Sequence, residues 1–203
     1  MHPEILSREQ IELFPLLKKF GKKYGLVGGT AVALHLGHRR SIDFDLFSYE
    51  AFKNISLEKK IQSVTTIDRA LVNREGEFTF VAKRVKITFF NYPFPIEYGV
   101  NFNKLINIPD LLTLAAMKAY ALGKRAKWKD YVDLFFIIKD HCSIEDIQSK
   151  GKDIFGGGFN SKIFRSQLSF FEDINYEEKV DFLPGFEVSE KKIKKALREF
   201  SIS

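Results

Sequence analysis

Apolar residues along this chain recur with two spacings, and the switch between them predicts its elements. Ile5, Ile11, Leu13, Phe14, Leu17 and Phe20 share one side of a helix over residues 4–20. Ser7 and Gln10 predict a capping box near its start, and Gly21 and Gly25 bracket its end. Leu26 and Val27 open a short strand. Gly28, Gly29 and Thr30 then turn the chain into an alanine- and leucine-rich helix from Ala31 to Leu36, stopped by Gly37. After a basic turn, His38 to Arg40, residues 41–46 alternate as a strand does. Ile42, Phe44 and Leu46 face one side, and Ser41, Asp43 and Asp45 face the other.

Residues 48–64, with Phe52, Ile55, Leu57 and Ile61 apolar, predict a second helix. Between 65 and 92 the period shortens to two, which predicts strands over 65–72, 78–81 and 85–90 with a turn at 73–76. In the last of these, Val85, Ile87 and Phe89 oppose Lys86, Thr88 and Phe90. From Pro109 the pattern is helical again, over Asp110 to Leu122, Trp128 to Lys139 and about 142–154. Gly156, Gly157 and Gly158 break it and set off an expected helical piece over 160–201. The fold class that follows is α+β: a small mixed or antiparallel sheet holding the Asp43–Asp45 strand, flanking helices, then a C-terminal helical region. The expected division is a core over 1–106 and a helical region over 107–203 that contributes Lys118 and Asp130 to the site.

Composition changes this picture little. A chain of 203 residues that is 45% hydrophobic and 29% charged reads as an ordinary soluble globular protein with a substantial core. No apolar run approaches the roughly 20 residues of a membrane helix, and the N-terminus lacks a basic-then-apolar secretion pattern. Cys142 is the single cysteine, so no internal disulfide can form. A cytoplasmic protein without a membrane partner is expected. The net charge of +6 suits a nucleotide or nucleic-acid partner and does not require one.

The candidate chemistry lies in two stretches. Asp43 and Asp45, two residues apart on one strand face, hold like charges roughly 6–7 Å apart. A magnesium or manganese ion beside them resolves the repulsion. Gly28 and Gly29 let the backbone approach a ligand, Thr30 is placed to cap the following helix, and the free amides there attract phosphate. Ser41 shares the aspartate face. The second stretch runs from Met117 to Phe136. Between Lys118 and Asp130, the basic residues Lys118, Lys124, Arg125, Lys127 and Lys129 outnumber one acid, Asp130, by five to one. Basic groups beside an acidic metal site suit a triphosphate. Trp128, Val132 and Phe135 form a core stripe, with Asp130 and Asp133 opposite it. His35 reads as a packed histidine and His38 as a candidate for the edge of the site. No Cys/His cluster suggests zinc, and no Walker-type phosphate loop is present.

Gly28 to Phe47, read with Met117 to Phe136, resembles the AbiEii/AbiGii toxin family, a branch of the minimal nucleotidyltransferase superfamily. The likeness covers about residues 24–140. The resemblance implies a nucleotidyltransferase-type sheet and transfer of a nucleoside monophosphate from an NTP to an acceptor, with RNA, the end of a tRNA, as the expected acceptor and an antitoxin as partner. It implies Asp43 and Asp45 as metal ligands, Gly28, Gly29 and Thr30 as the phosphate-side turn, Lys118 on the nucleotide phosphates and Asp130 as a late essential acid; Ser41, from its place on the aspartate face, and Arg125, from the basic stretch, are further candidates for the nucleotide. One position departs from the superfamily: Thr88 stands where a third carboxylate is common, and Asp68, Glu77 and Asp130 are the candidates to compensate. The competing readings are a kinase or other transferase on the same scaffold, acting on a protein or small molecule, and an inactive nucleotide- or RNA-binding module.

Overall fold

A computed structural model describes residues 1–202. The N-terminal apolar run is divided, where one helix was expected. A 3-10 turn at Pro3–Ile5 precedes α1 (Arg8–Glu12) and α2 (Phe14–Phe20). Pro15 has no N–H to give to a continuing helix, so the chain restarts there. The capping box at Ser7 and Gln10 forms. β1 (Gly25–Val27) leads into α3 (Gly28–Leu36), and the chain returns as β2 (Phe44–Ser48). β2 begins at Phe44, not at Ser41, and Ile42 is exposed rather than packed. The second helix, α4 (Asn54–Gln62), starts later than expected because Ser48 still belongs to β2.

β3 (Arg69–Arg74), β4 (Glu77–Ala82) and β5 (Val85–Asn91) follow, the first of them four residues later than the pattern predicted. Two strands were not anticipated, β6 (Val100–Phe102) and β7 (Ile106–Ile108). At three residues each they are too short to show a period. Five helices follow among the described residues: α5 (Leu111–Leu122), α6 (Trp128–Asp140), α7 (Ile144–Phe155), α8 (Ser161–Ser169) after a 3-10 turn at Gly156–Gly158, and α9 (Glu190–Ile202). The expected C-terminal helical piece is thus interrupted. Residues 170–189 are irregular, as Pro184 and Gly185 within them favour.

The seven strands form one open sheet in the order β3-β4-β5-β2-β1-β7-β6. β1 pairs with β2 antiparallel and with β7 parallel. β2 runs parallel to β5, with Asp45 beside Thr88 and Phe47 beside Phe90. The sheet is mixed, with antiparallel pairs in the majority. Its α+β class is the one expected, and β7 spans the expected boundary at residue 106.

One apolar core joins these parts. Leu26, Phe44, Leu46, Phe80, Ile87 and Phe89 of the sheet are fully buried, as are Leu34 of α3 and Tyr131 and Leu134 of α6. Phe164, Leu168, Ile193 and Leu197 extend the same cluster into α8 and α9. Alternation along β2 and β5 sends Phe44, Leu46, Ile87 and Phe89 inward, and Asp45, Phe47, Thr88 and Phe90 to the open face. No described helix is long and apolar enough to cross a membrane.

Candidate active site

A cavity of about 550 Å³ opens over that face, between the β1–α3 turn, β2, β5 and the start of α6. The metal, nucleotide and catalytic candidates line it: Gly28, Gly29, Thr30, Ser41, Asp43, Asp45, Lys118, Arg125 and Asp130. Thr88 lines it too. Of the candidates to replace its missing acid, Glu77 and Asp130 reach the cavity, whereas Asp68 is not on its wall.

The glycine turn sits against the carboxylates. Gly28 has φ +72°, a left-handed conformation, and a Cβ there would collide with Asp45 Oδ2. A Cβ at Gly29 would lie 2.6 Å from Arg39 Nη2 and 3.2 Å from Ser41 Oγ. Thr30 does not cap α3, contrary to expectation. The helix starts two residues earlier, and its N-cap, Val27, supplies no side-chain bond. The Thr30 hydroxyl instead donates to the Asp43 carbonyl at 2.5 Å and lies 2.9 Å from Ser41 Oγ. It pins the approach to β2, while the first-turn amides of α3 stay free of a side-chain cap. Free amides at a helix start favour an anion.

The two aspartates differ. Asp43 is paired with Lys86 Nζ at 2.7 Å. The Asp45 carboxylate, on a half-buried residue, forms no hydrogen bond or ion pair among the described residues. Burial, reinforced by the charge of Asp43, raises its pKa above the usual carboxylate value. Lys86 was not anticipated, although its place beside Thr88 on the outward face of β5 was the signal for it.

In the second stretch the two aspartates are buried, whereas the turn at Gly123, Lys124 and Arg125 is exposed. Asp130 and Asp133 are 3% and 0% exposed. Asp133 is the hub of an ion network. Arg39 binds it through Nε and Nη2 at 2.7 and 2.8 Å, Lys118 Nζ at 2.7 Å and His38 Nε2 at 2.8 Å. Burial alone would raise the Asp133 carboxyl, but Arg39, Lys118 and His38 hold it well below the usual range. His38 does not edge the cavity. It is fully buried, and burial lowers its pKa despite Asp133. A carboxylate only accepts, so Nε2 carries the proton and Nδ1 is left without a partner among the described residues. Lys118 also binds Asp130 Oδ1 at 2.5 Å, and the two acids raise its pKa against its burial. Asp130 Oδ2 has no hydrogen bond among the described residues, with Arg125 Nε 3.6 Å away.

A third segment was missed. Residues 175–183 run over both motifs. Arg40 N–H donates to the Asp181 carbonyl, Leu183 N–H to the His38 carbonyl and Trp128 N–H to the Asn175 carbonyl. Glu178 lines the cavity and binds Lys127 at 2.9 Å and Lys129 at 3.2 Å. Lys129 is thus paired with a residue outside both motifs. The irregular segment carries no periodic pattern to announce it.

The fold has counterparts among solved structures. MenT4, a nucleotidyltransferase toxin from Mycobacterium tuberculosis H37Rv, superposes with a TM-score of 0.62 at 13% identity, over 95% of this chain and 81% of that one. JHP933 from Helicobacter pylori gives 0.59 at 16% identity, over 97% and 92%. At such identities the likeness is one of fold. An uncharacterized protein of Aquifex aeolicus (strain VF5), aq_aa25, is 30% identical over 202 residues, covering 96% of this chain and 97% of the relative. The profile of the family described as nucleotidyl transferase AbiEii toxin, type IV toxin–antitoxin system, matches residues 16–199. With a match across nearly its whole length, this chain belongs to the AbiEii family of nucleotidyltransferase toxins.

Proposed function

We propose that this nucleotidyltransferase moves a nucleoside monophosphate from an NTP to a hydroxyl of RNA, the end of a tRNA, in a reaction that needs magnesium or manganese, and that a cognate antitoxin restrains it. The observation that supports this most is Asp45, a half-buried carboxylate without a cation, beside Asp43 in a cavity whose opposite wall is basic. No group of three His, Cys, Asp or Glu gathers among the described residues. Two carboxylates still fit magnesium, which commonly takes one or two from the protein and completes its shell with phosphate oxygens and water. Bound by Asp43 and Asp45, the metal would polarise the α-phosphate and the attacking hydroxyl.

The chain's own groups supply the rest. The amides of Gly28, Gly29 and Thr30 receive phosphate oxygens. Lys118 and Arg125 balance the charge on the leaving pyrophosphate. The acceptor oxygen bonds to the α-phosphorus as the bond to the β-phosphate oxygen breaks. Thr88, whose hydroxyl pairs weakly with Thr79 at 3.4 Å, cannot serve as a base. Asp130 takes the hydroxyl proton through Oδ2, the oxygen that Lys118 leaves free.

Asp43→Asn and Asp45→Asn are expected to abolish transfer of label from α-labelled NTP to RNA and to leave the fold intact. Full activity in either variant overturns the metal assignment. Transfer of γ-label instead would make the chain a kinase. Nucleotide binding without transfer under either metal would make it an inactive module.

A further inference from the structure

Beyond the carboxylates the cavity continues into a wall of rings, and we infer that this wall holds a nucleobase, that of the incoming NTP. The inference rests on the nucleotidyl-transfer reading and names the part of the substrate which that reading leaves without a site. β2 and β5 run in parallel register. Their cavity face begins with Asp45 and Thr88 and ends, one side-chain repeat further, with Phe47 and Phe90. That repeat is about 6–7 Å. A nucleotide has the same polarity, from anionic phosphate through a sugar to a flat apolar base.

Phe47, Phe90 and Tyr92 are half-buried and line the cavity, unlike Phe78, Phe80 and Phe89, which are wholly enclosed in the core. Phe47 lies 5.2 Å from Phe90 and 5.0 Å from Tyr92 between ring centres, tilted by 52° and 32°. Tyr120, further along the wall, is already covered. Phe155 stacks on it at 4.1 Å, and the Lys124 ammonium lies 4.1 Å from its centre. Phe47 and Phe90 are the rings one strand repeat from Asp45 and Thr88. Their backbone is fixed: the Asn91 amide donates to the carbonyls of Ser48 and Tyr49, and the Tyr92 N–H to that of Ser48. A platform set in advance loses little on binding. The Tyr92 hydroxyl has no hydrogen-bond partner among the described residues, which leaves it for a base edge. Burial raises its pKa and keeps it a donor. Stacking itself tolerates any base.

Calorimetric titration of each of the four NTPs and of inorganic tripolyphosphate, with magnesium, tests the site in the wild-type chain, Phe90→Leu and Tyr92→Leu. The wild-type chain is expected to bind at least one NTP about tenfold or more tightly than tripolyphosphate. The two variants are expected to lose that margin and keep their affinity for tripolyphosphate, which also shows that they are folded. Equal affinity of the wild-type chain for NTP and tripolyphosphate, or variants that keep the margin, overturns the base site and leaves nucleotidyl transfer standing. If a variant loses both ligands alike, Phe90→Tyr decides: restoration of the NTP margin upholds the site, and failure to restore it overturns it. Variants that lose affinity for a single-stranded RNA but not for NTP assign the rings to the acceptor and make the inference wrong. Binding of neither ligand by the wild-type chain overturns the transfer reading, and the base site with it.

Discussion

Asp133 has no exposed surface and meets Arg39, Lys118 and a neutral His38 at once. Removing one member of a buried ion set leaves the others charged and unpaired. Asp133→Ala is therefore expected to cost about 3–5 kcal/mol of stability, read by chemical denaturation. The network also has a pH sign. Burial holds the His38 pKa below its ordinary 6.5, so the unfolded chain binds more protons than the folded one, and stability falls as pH drops below 6.5. Asp133, held well below 3.8, adds a second loss at lower pH. Asp45, raised by burial and by Asp43, has the opposite sign and offsets part of this. Denaturation midpoints that stay flat through the histidine range would contradict the neutral, buried His38. A smaller effect belongs to Lys86, which occupies Asp43 in the free chain. Lys86→Met is expected to strengthen manganese binding by roughly two- to fivefold, the scale of a partly exposed ion pair, as measured by paramagnetic resonance.

At the scale of elements, the β1–α3 turn and the α5–α6 pair do separate work. The turn brings backbone amides against Asp45 only because Gly28 adopts a positive φ and has no side chain. Gly28→Ala combines a backbone cost of about 1–2 kcal/mol with a collision at Asp45. It is expected to remove transfer activity almost completely while lowering the melting temperature only modestly. The α5–α6 pair is held by Lys118, which bridges Asp130 and Asp133 of α6 from α5. Lys118→Ala is expected to lower kcat/KM for NTP by about 2–4 kcal/mol of transition-state stabilisation. An unchanged kcat/KM would limit Lys118 to holding the helices together.

The whole molecule closes through residues 175–183, which join the basic turn at His38–Arg40 to the start of α6. Glu178 is the charged clasp. Its hydrogen bond to Lys127, helped by Lys129, holds its carboxyl at about 2 against an ordinary 4.5. A depressed carboxyl stabilises the fold above its unfolded pKa, and that contribution fades as pH falls through about 2. Glu178→Gln is expected to loosen the basic wall and raise KM for NTP, with kcat less affected. Removal of residues 170–203 strips Ile193 and Leu197 from the shared core along with the clasp. It is expected to leave an unfolded or aggregated chain by circular dichroism.

The sequence by itself determined what depends on neighbours along the chain. Alternation at Phe44–Leu46 and Val85–Phe90 set which side chains face the core. Capping at Ser7 and the breaks at Gly37 and Gly123 set helix limits. The glycine turn, Asp43, Asp45, Lys118 and Asp130 were legible because residue type and spacing are local properties, and the family likeness rests on the same local patterns. Only the tertiary structure decided which charges meet. Nothing local links Arg39 to Asp133, ninety-four positions apart, or Lys86 to Asp43, or Glu178 to Lys127. The same holds for solvent. Asp133 lies opposite an apolar stripe and reads as exposed, yet α3 and α5 both pack on α6 and enclose it with its cations. The short strands β6 and β7 and the irregular strap exist only through their partners, because three residues or a loop have no period of their own to declare.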